Sequence, residues 1–446
     1  MAKTDRNRAV VLGASMAGLL AARVLADHYA DVVVVERDDL RDHDCRGDHD
    51  CPRRGVPQGR HVHALLARGR QVIEALLPGV TDDWIAAGAV PGDVTGDVRW
   101  IMDGRRMPNP HSDMLLLSAS RPLLEQRVRA RVRALPQVRF LERHDVTGLR
   151  TAEDGRTVTG VVVSGEDGAR DLAADLVVDA TGRRSRTPVW LTELGFPAVQ
   201  EEKLSIGVGY TTQYYRLPPD RMPGEISIDT VASPAHPRGA ICAKIDGGRT
   251  LVTAYGFLGD YPPTDQEGFL AFLKSLSAPD TYETVRDLEP LGDPVGYRFP
   301  ANLRRRYERL TSFPDGLLVL GDAVCSFNPV YGQGMTVAAL GATVLADHVA
   351  RPGAPDPVAF FAELSARAVE DVWAMTVSAD LAFPQVEGER TPEVLAEQEF
   401  VERLLEAAVH DHSLLVAYVR VIGLVDPPTA LVAPEIMAAL AVAEAR

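Results

Sequence analysis

A glycine-containing turn near the start of the chain, set between two apolar segments, constrains the fold more than any other feature. The segment RAVVL over 8–12 predicts a buried strand, residues 16–28 show helical periodicity, and DVVVVE over 31–36 predicts a second strand. A strand, a helix and a strand in this order predict a parallel β-sheet. The expected fold class is therefore α/β, with a Rossmann-like parallel sheet.

The turn itself reads Gly13-Ala-Ser15-Met-Ala-Gly18. Gly13 allows the tight turn, Gly18 allows the helix and strand to pack closely, and the helix N-terminus faces a pyrophosphate with free N–H groups. Glu36 lies about 20 positions further on, where an acid binds ribose hydroxyls, although Ser15 replaces the usual middle glycine. This pattern predicts a bound dinucleotide without separating FAD from NAD. The expected contacts are Gly13, Ser15, Met16, Ala17, Gly18, Glu36 and Arg37.

A second glycine-containing turn lies far along the chain, again between an apolar strand and a helix. Residues 317–321 (LLVLG) predict the strand, and 334–349 predict the helix. The turn between them reads GDAVCSFNPVYGQGM over 321–335. The N-terminus of the following helix would stabilise negative charge on a bound group. Two such turns in one chain favour a dinucleotide site over two ordinary loops.

Together with DATGRRSR over 179–186 and SRPLLE over 120–125, these turns resemble the FAD-dependent monooxygenases of the aromatic-hydroxylase-like (group A) family. The resemblance covers about residues 8–350. In that family the aspartate of the second turn binds the ribityl chain, the proline lies against the isoalloxazine, and the last N–H groups face the flavin pyrimidine edge. The residues in those positions are Asp322, Pro329, Gly332, Gly334 and Met335.

The resemblance implies further contacts with FAD. Arg121 begins a helix whose arginine approaches the flavin cofactor, and the main chain of Val146 meets the adenine. Thr181 and Gly182 stand where many hydroxylases carry Asp-Gly, a segment associated with reduction by a nicotinamide. That departure leaves open whether NADH or NADPH reduces the flavin directly or through a separate flavin reductase.

Two segments narrow the resemblance to the bacterial polyether epoxidases, a branch of this family. They are RRGVPQGRHVH over 53–63 and FNPVYGQGM over 327–335. The first segment adds Arg54 and Gln58 as expected cofactor contacts. His61 and His63 are two residues apart and would share one face of an extended chain, as candidates to flank the flavin, to carry it covalently or to contact the substrate. Structural, hydrogen-bonded histidines are the favoured interpretation.

The remaining patterns divide the chain into three parts. Residues 138–178 alternate as short strands and predict a β-meander, whereas 205–215, 225–231 and 239–257 predict longer strands. From Asp356 onward the pattern is mainly helical. The expected parts are a discontinuous FAD-binding domain (1–81, 115–186 and 301–350), a mixed-sheet substrate domain (82–114 and 187–300) and a helical C-terminal region (351–446).

Charge and composition disfavour several other classes of protein. The chain carries 47 Lys and Arg against 62 Asp and Glu, and its net charge of −15 repels nucleic acid. No segment reaches the ~18 apolar residues of a membrane span, and the N-terminus lacks a signal-peptide pattern, so a cytoplasmic protein is expected. The cysteines have no zinc-ligand spacing. The near-repeat that holds Cys45 and Cys51 is interpreted as a tolerant surface loop rather than a metal site.

The resemblance implies an enzyme of secondary metabolism in which reduced FAD and O2 form a flavin hydroperoxide that oxygenates a small hydrophobic substrate. The two segments shared with the polyether epoxidases imply epoxidation of an alkene. A second observation agrees, because the predicted substrate strands offer no strong base for activating a phenol. Phenol hydroxylation and reduction of prenyl chains are the alternatives. A flavin halogenase is disfavoured, because no two tryptophans have its W-x-W spacing. Tyr210 and Tyr255 are candidate substrate contacts on predicted strands, and no catalytic residue is assigned.

Overall fold

The computed structural model of this protein describes residues 7–40, 53–63 and 65–445. The near-repeat that holds Cys45 and Cys51 lies outside these residues, so its interpretation as a surface loop stays a prediction. The other two cysteines, Cys242 and Cys325, are buried free thiols.

Strands and helices alternate through the first half of the chain, and helices dominate its end. The strands of the described residues are β1 Arg8–Leu12, β2 Asp31–Val35, β3 Val90–Asp93, β4 Val98–Met102, β5 Arg105–Arg106, β6 Leu115–Ser118, β7 Val138–Leu141, β8 Asp145–Thr151, β9 Val158–Gly165, β10 Gly168–Ala173, β11 Leu176–Asp179, β12 Glu201–Arg216, β13 Ser227–Val231, β14 Arg238–Ile245, β15 Arg249–Gly256, β16 Val295–Arg305, β17 Leu317–Val319 and β18 Cys325–Ser326. The α-helices are α1 Met16–Leu25, α2 Ala67–Leu76, α3 Val80–Ala86, α4 Arg121–Arg133, α5 Thr187–Glu193, α6 Gln266–Lys274, α7 Asp280–Val285, α8 Gly334–Val349, α9 Pro357–Leu364, α10 Glu370–Leu381, α11 Pro392–Ala408, α12 His412–Ile422 and α13 Pro434–Glu444. Short 3₁₀ helices span Pro57–Arg60, Gly182–Arg184, Gly321–Ala323 and Pro329–Tyr331.

The expected parallel sheet is confirmed. Its strands follow the order β17-β11-β1-β2-β7 among the described residues. β1 pairs with β2 from Arg8 opposite Asp31 to Leu12 opposite Val35, and with β11 on its other side. α1 packs on this sheet and on α8, and both helices belong to one apolar core with the strands. The first helix ends at Leu25, three residues before the predicted end.

The β-meander is narrower than the predicted span of 138–178. Only β8, β9 and β10 form an antiparallel sheet with one another. β7 and β11, which flank them in sequence, join the parallel sheet instead. Short apolar strands look alike in sequence whichever sheet they join, because packing against distant neighbours selects the partner.

A second large sheet comprises eight of the described strands, in the order β18-β16-β12-β15-β14-β13-β4-β5. The neighbouring strands are antiparallel except β13 and β4. The predicted single strand over 239–257 is wrong: it is a hairpin. Gly247 and Gly248, with φ of 76° and 66°, turn the chain between β14 and β15. β16 crosses the predicted domain boundary at residue 300.

The C-terminal region is helical, as predicted, and covers one face of the large sheet. Apolar residues of α11, α12 and α13 share a core cluster with Val98 and Met102 of β4. Phe383 and Val386, which follow α10, pack with Phe257 at the end of β15. None of the helices within 7–40, 53–63 and 65–445 has the length and hydrophobicity needed to cross a bilayer.

Candidate active site

Three glycine turns come together in the fold, and we call the site between them the cofactor groove. They comprise residues 13–18, 181–182 and 321–334. A Cβ atom placed on Gly13 would lie 2.7 Å from the carbonyl oxygen of Ala180. One placed on Gly321 would lie 2.8 Å from the side chain of Ala17. The glycines therefore allow main chain from three distant parts of the sequence to come into contact.

The first turn leads directly into α1. Gly13 has a φ of 95°, which favours glycine, and its N–H donates to the carbonyl of Val35 at 2.8 Å. A Cβ on Gly18 would lie 1.9 Å from the carbonyl oxygen of Gly13, so only glycine fits there. The N–H of Leu19 makes a helical hydrogen bond to the carbonyl of Ser15 at 2.9 Å. The earlier N–H groups of α1 point out of the helix N-terminus, an arrangement that binds phosphate.

Ser15, the departure from the usual glycine pattern, is tied to α4. Its hydroxyl donates to the Glu125 carboxylate at 2.8 Å and accepts from Arg121 at 3.0 Å. Arg121 also pairs with Glu125 at 3.1 Å, one helical turn along. The serine therefore helps to hold a buried arginine beside the N-terminus of α1. A fixed guanidinium suits the phosphates of a dinucleotide.

Glu36 and Glu125, together with the arginines that pair with them, form what we call the acid–arginine cluster. Arg53 lies between its two acids, and sequence reasoning missed this arginine. Its guanidinium pairs with Glu36 at 2.6 Å and also with Glu125, and it donates to the carbonyl of Ala14 at 2.8 Å. The sequence predicts its neighbour Arg54 instead, which is exposed. Adjacent arginines look alike in sequence, and only the fold decides which of them turns inward.

The Glu125 carboxylate is ionised at the centre of three arginines. Burial alone would raise its pKa. The guanidinium groups of Arg53, Arg121 and Arg129 outweigh burial and hold the pKa of Glu125 at about 2. The cluster is thus a fixed arrangement of opposite charges beside the groove.

Glu36 reaches the groove, as the spacing predicts. Its carboxylate accepts from the N–H groups of Ala14 at 2.8 Å and Asp38 at 3.0 Å. A carboxylate has about four acceptor positions, so capacity for a ribose hydroxyl remains beside these bonds and the Arg53 ion pair. The N–H of His144 donates to the Glu36 carbonyl at 3.0 Å, which brings the start of β8, with the half-buried Val146, close to this end of the groove.

The second turn is fixed by Asp179 at the end of β11. Its carboxylate accepts from the N–H of Thr181 at 2.9 Å and from the Thr181 hydroxyl at 2.6 Å. The hydroxyls of Ser185 and Thr187 donate to it at 2.5 and 2.6 Å. These bonds hold the turn with Thr181 exposed and with Gly182 at a φ of 78°.

Asp322 lies where the second and third turns meet. A Cβ on Gly182 or on Gly334 would lie 3.9 Å from the Asp322 side chain. Burial raises the pKa of Asp322, against the opposing charges of Arg121 and Arg183. Within the described part of the chain, its carboxylate has no hydrogen-bond or ion-pair partner. A carboxylate held without a partner in a groove suits a ligand that carries hydroxyl groups.

The third turn is held from behind by Asp380 of α10. Its carboxylate accepts from Asn302 at 2.6 Å, from Asn328 at 2.8 Å and from the Tyr331 hydroxyl at 2.8 Å. Asp380 is completely buried, and burial raises its pKa to about 6. Pro329, between two of these partners, stays exposed. Sequence reasoning missed Asp380, although a lone acid within an apolar helical stretch was an available signal.

The segment 53–63 runs from the cofactor groove to the large sheet. It begins with Arg53 in the acid–arginine cluster. Further on, the Tyr214 hydroxyl donates to the carbonyl of Arg60 at 3.0 Å. The Nδ1 atom of His61 then lies 2.7 Å from the Thr212 hydroxyl. One short segment therefore fixes the two regions relative to each other.

One face of the large sheet, which we call the tyrosine face, carries Tyr210, Thr212, Thr253, Tyr255 and Tyr297. Tyr210 stacks on Tyr297 with ring centroids 5.7 Å apart, and His61 contacts Tyr210 edge-on at 5.3 Å. The buried hydroxyl of Tyr210 has no hydrogen-bond partner among the described residues. The Tyr255 hydroxyl is satisfied, because it bonds main-chain groups of residues 230–232 at 3.4 and 3.2 Å.

Both candidate histidines are neutral. Burial lowers the pKa of His61 to about 4 and that of His63 to about 3. Their surroundings differ, because His61 lies on the tyrosine face whereas the charges of Arg121 and Glu125 act on His63. The Nδ1 atom of His63 lies 2.9 Å from the carbonyl oxygen of His61.

The groove and the tyrosine face meet at Val330. This residue, next to Pro329, packs against an apolar cluster that contains Tyr210 and Tyr255. A ligand lying along Pro329 would therefore face the aromatic side chains of the sheet. The other predicted cofactor residues are Met16 and Met335, which are buried, Ala17, Gln58 and Gly332, which are half-buried, and Arg37, which is exposed.

Comparison with known proteins gives one similar sequence. No protein-family model matches the chain. The chain is 35% identical over 406 residues to Protein Rv3254 of Mycobacterium tuberculosis (strain ATCC 25618 / H37Rv). The match covers 87% of this chain and 83% of that protein.

Several solved structures share the fold. A flavoprotein/dehydrogenase from Cytophaga hutchinsonii has a TM-score of 0.68 at 14% identity and covers 98% of both chains. The p-nitrophenol 4-monooxygenase PnpA from Pseudomonas putida DLL-E4 has a TM-score of 0.65 at 19% identity, over 94% of this chain and 97% of that one. PqsL from Pseudomonas aeruginosa, a probable FAD-dependent monooxygenase, has a TM-score of 0.60 at 18% identity, over 84% of this chain and 98% of that one.

Proposed function

We propose that this chain, which belongs to the same family as Protein Rv3254 of Mycobacterium tuberculosis and has the fold of FAD-dependent monooxygenases, is itself an FAD-dependent monooxygenase. Its substrate is a small hydrophobic metabolite. The observation that carries the proposal is the unpaired carboxylate of Asp322, placed where the second and third glycine turns meet.

The residues of the cofactor groove fit FAD in charge and in hydrogen-bonding capacity. The N-terminus of α1 and the fixed guanidinium of Arg121 suit the pyrophosphate. Glu36 retains an acceptor position for a ribose hydroxyl, and Asp322 has its acceptor positions free for the ribityl chain. Pro329 offers an exposed apolar surface for the isoalloxazine, and the helix N-terminus at Gly334 suits its pyrimidine edge.

Bound FAD would supply the oxygen-activating chemistry, after reduction by NADH or NADPH directly or through a separate flavin reductase. The chain's own residues orient the reactants and exclude water. Asp380 fixes the turn that carries Pro329. The apolar cluster around Val330 keeps the space beside that turn poor in water, which strengthens the electrostatic interactions within it.

We propose epoxidation of a carbon–carbon double bond as the reaction. Epoxidation needs an alkene held about 3–3.5 Å from the reacting oxygen and no deprotonation of the substrate. A pKa of about 4 makes His61 a weak base, so the histidine beside the tyrosine face is poorly suited to activating a phenol. The segment 53–63, which carries His61, resembles the polyether epoxidases.

Phenol hydroxylation is the second candidate. It is favoured by the fold shared with PnpA, whose own substrate is p-nitrophenol. A hydroxylase would need a positioned base near neutral pKa beside the reacting ring.

Incubation of the purified enzyme with FAD, a reducing system and ¹⁸O₂ tests the proposal on panels of alkenes and phenols. We expect one labelled oxygen atom in an epoxide, with O2 consumption that depends on the alkene. Label found only in ring hydroxyls would overturn epoxidation and keep the monooxygenase. Substrate-dependent turnover in the absence of O2 would overturn both.

A further inference from the structure

Asp229 is an acidic side chain on β13, the third strand from one end of the large sheet. On β13 it stands opposite Ile241 of β14, which in turn stands opposite Thr253 of β15. Thr253 stands opposite Thr212 of β12. Directly paired residues share a face of a sheet, so Asp229 lies on the tyrosine face, in line with the two threonines beside His61.

The half-buried Asp229 carboxylate has few polar partners. The Ser227 hydroxyl donates to one of its oxygens. Among the residues that the structure describes, the carboxylate has no ion-pair partner and its other oxygen accepts no hydrogen bond. Burial raises the pKa of Asp229 to about 7, whereas four hydrogen bonds from nearby residues lower the pKa of Asp93 to about 2.

The surroundings of Asp229 are apolar and aromatic. Trp100 of β4, its partner in register, and Val231 on the same face of β13 pack against the core cluster of the C-terminal helices. Tyr255 is close enough for the Asp229 charge to contribute to its raised pKa, but its hydroxyl is already bonded to main-chain groups. Asp229 therefore carries a free acceptor oxygen beside apolar and aromatic side chains, between the sheet and the helices that cover it.

Asp229 lies several strands away from Thr212 of β12, which contacts His61 of the segment that leads to the groove. Three strand spacings separate β13 from β12, which amounts to about 14 Å. A group bound by Asp229 therefore lies at the far end of a long substrate whose other end reaches the turn at Pro329. Asp229 is therefore a positioning residue, which orients the substrate and contributes to the choice of substrate.

We infer that Asp229 binds a hydrogen-bond-donating group, a hydroxyl or an amine, at the end of an elongated apolar substrate remote from the double bond that is oxidised. The inference rests on the proposed function, and it names the substrate class: a long unsaturated molecule with one polar donor at its end. The free carboxylate oxygen accepts that donor, and the apolar surface between Asp229 and Val330 contacts the chain.

Binding of two probes to the holoenzyme tests this role. Farnesol carries a terminal hydroxyl, and farnesyl methyl ether has the same chain without a donor. Binding is measured from the change in the visible spectrum of the bound flavin and by calorimetry. At about pH 8.5, above the pKa of about 7 so that the carboxylate is ionised, we expect the wild type to prefer the alcohol by roughly tenfold or more, because a hydrogen bond to a charged group is lost in the ether.

Three variants identify the residue responsible. Asp229→Leu should bind both probes alike, Asp229→Asn should keep part of the preference through its amide oxygen, and Asp113→Asn, a change at an exposed aspartate, should behave as the wild type. The thermal midpoint of Asp229→Asn should not fall, because the change removes a buried charge.

Equal binding of the two probes to the wild type, failure of both to bind, or an undiminished preference in Asp229→Leu would overturn the role of Asp229. FAD content and O2 consumption are recorded on the same samples. Their absence would contradict the monooxygenase proposal instead, so the two failures are distinguishable.

Discussion

The cofactor groove and the tyrosine face are built from different groups. The groove consists of glycine turns, main-chain N–H groups and acids held by arginines, with Glu125 fixed among three guanidinium groups. The tyrosine face consists of aromatic rings, two threonines and a neutral histidine, and the hydroxyl of Tyr210 is left without a partner among the described residues. The groove is therefore shaped for one charged ligand, whereas the face selects its ligand by shape and by a few polar side chains.

The largest expected effect of a substitution is at Gly18, where a change should disrupt the groove and leave the tyrosine face intact. A Cβ there would lie 1.9 Å from the carbonyl of Gly13, so Gly18→Ala should force the first turn apart. We expect a loss of more than about 3 kcal/mol in the free energy of unfolding, with loss of bound FAD. Denaturant unfolding and flavin absorbance measure both. Gly148→Ala is the control, because its Cβ would meet only Val162 at 3.9 Å; equal stability of the two variants would contradict the packing described for the turn.

Asp380 joins the groove to the C-terminal helices and gives a pH-dependent prediction. Its folded-state pKa of about 6 lies above the unfolded value of about 3.9, so the folded chain holds the proton more tightly. The resulting stability is present below about pH 4 and is lost as the pH rises through 6. Relative to Asp380→Asn, we expect the wild type to lose about 3 kcal/mol between about pH 4 and pH 7.

Urea unfolding across this pH range measures the difference in the free energy of unfolding between the two proteins. The contributions of the other titrating groups are the same in both proteins and therefore cancel. Asp371→Asn, at an exposed position of the same helix, should show a constant difference from the wild type. If the free-energy difference between the wild type and Asp380→Asn also stayed constant with pH, Asp380 would not have the raised pKa that its burial indicates.

Asp322 separates the binding of FAD by the groove from the stability of the fold, because we expect its carboxylate to contact the ligand and no other residue of the described chain. Asp322→Ala should weaken FAD binding by roughly ten- to hundredfold, since a charge-assisted hydrogen bond contributes about 1.5–3 kcal/mol. Its thermal midpoint without FAD should not fall, because the carboxylate has no partner to lose in the described part of the chain. Fluorescence titration of apoprotein with FAD measures the affinity, and Asp167→Ala, on the exposed β9–β10 turn, is the control. An unchanged affinity would contradict the assignment.

The smallest expected effect distinguishes two tyrosines of the same face. Tyr210→Phe removes a hydroxyl without a partner among the described residues, so its stability should stay equal or rise slightly. Tyr255→Phe removes a hydroxyl that bonds main-chain groups at 3.4 and 3.2 Å, so it should cost about 1 kcal/mol. Thermal unfolding of the two variants measures the difference. The reverse order would mean that Tyr210 has a partner in solution.

The groove was largely predictable, because its signals are local. Gly13 and Gly332 lie between an apolar strand and a helix, Gly18 and Gly334 lie in the first turn of that helix, and α8 begins and ends where the periodicity predicts. Arg53 and Asp380 were not found, because their roles depend on partners far away in sequence, such as Glu125 and Asn302.

The large sheet was less predictable for the same physical reason. The run 239–257 reads as one strand until the glycine pair at 247–248 is recognised as a turn. The expectation that the substrate strands hold no strong base overlooked Asp229, an acid within the apolar alternation of β13. The strand order, which the sequence does not give, places Asp229 on β13, three strands from the β12 strand that meets His61.

Identification of the cofactor tests the central claim most directly. The purified protein is treated with acid, and the released chromophore is identified by its mass and quantified against the protein. We expect a yellow protein that releases about one equivalent of intact FAD, because the predicted contacts of the cofactor groove are non-covalent. Well-folded protein that releases NAD, FMN or no cofactor, and that does not bind added FAD, would contradict the account.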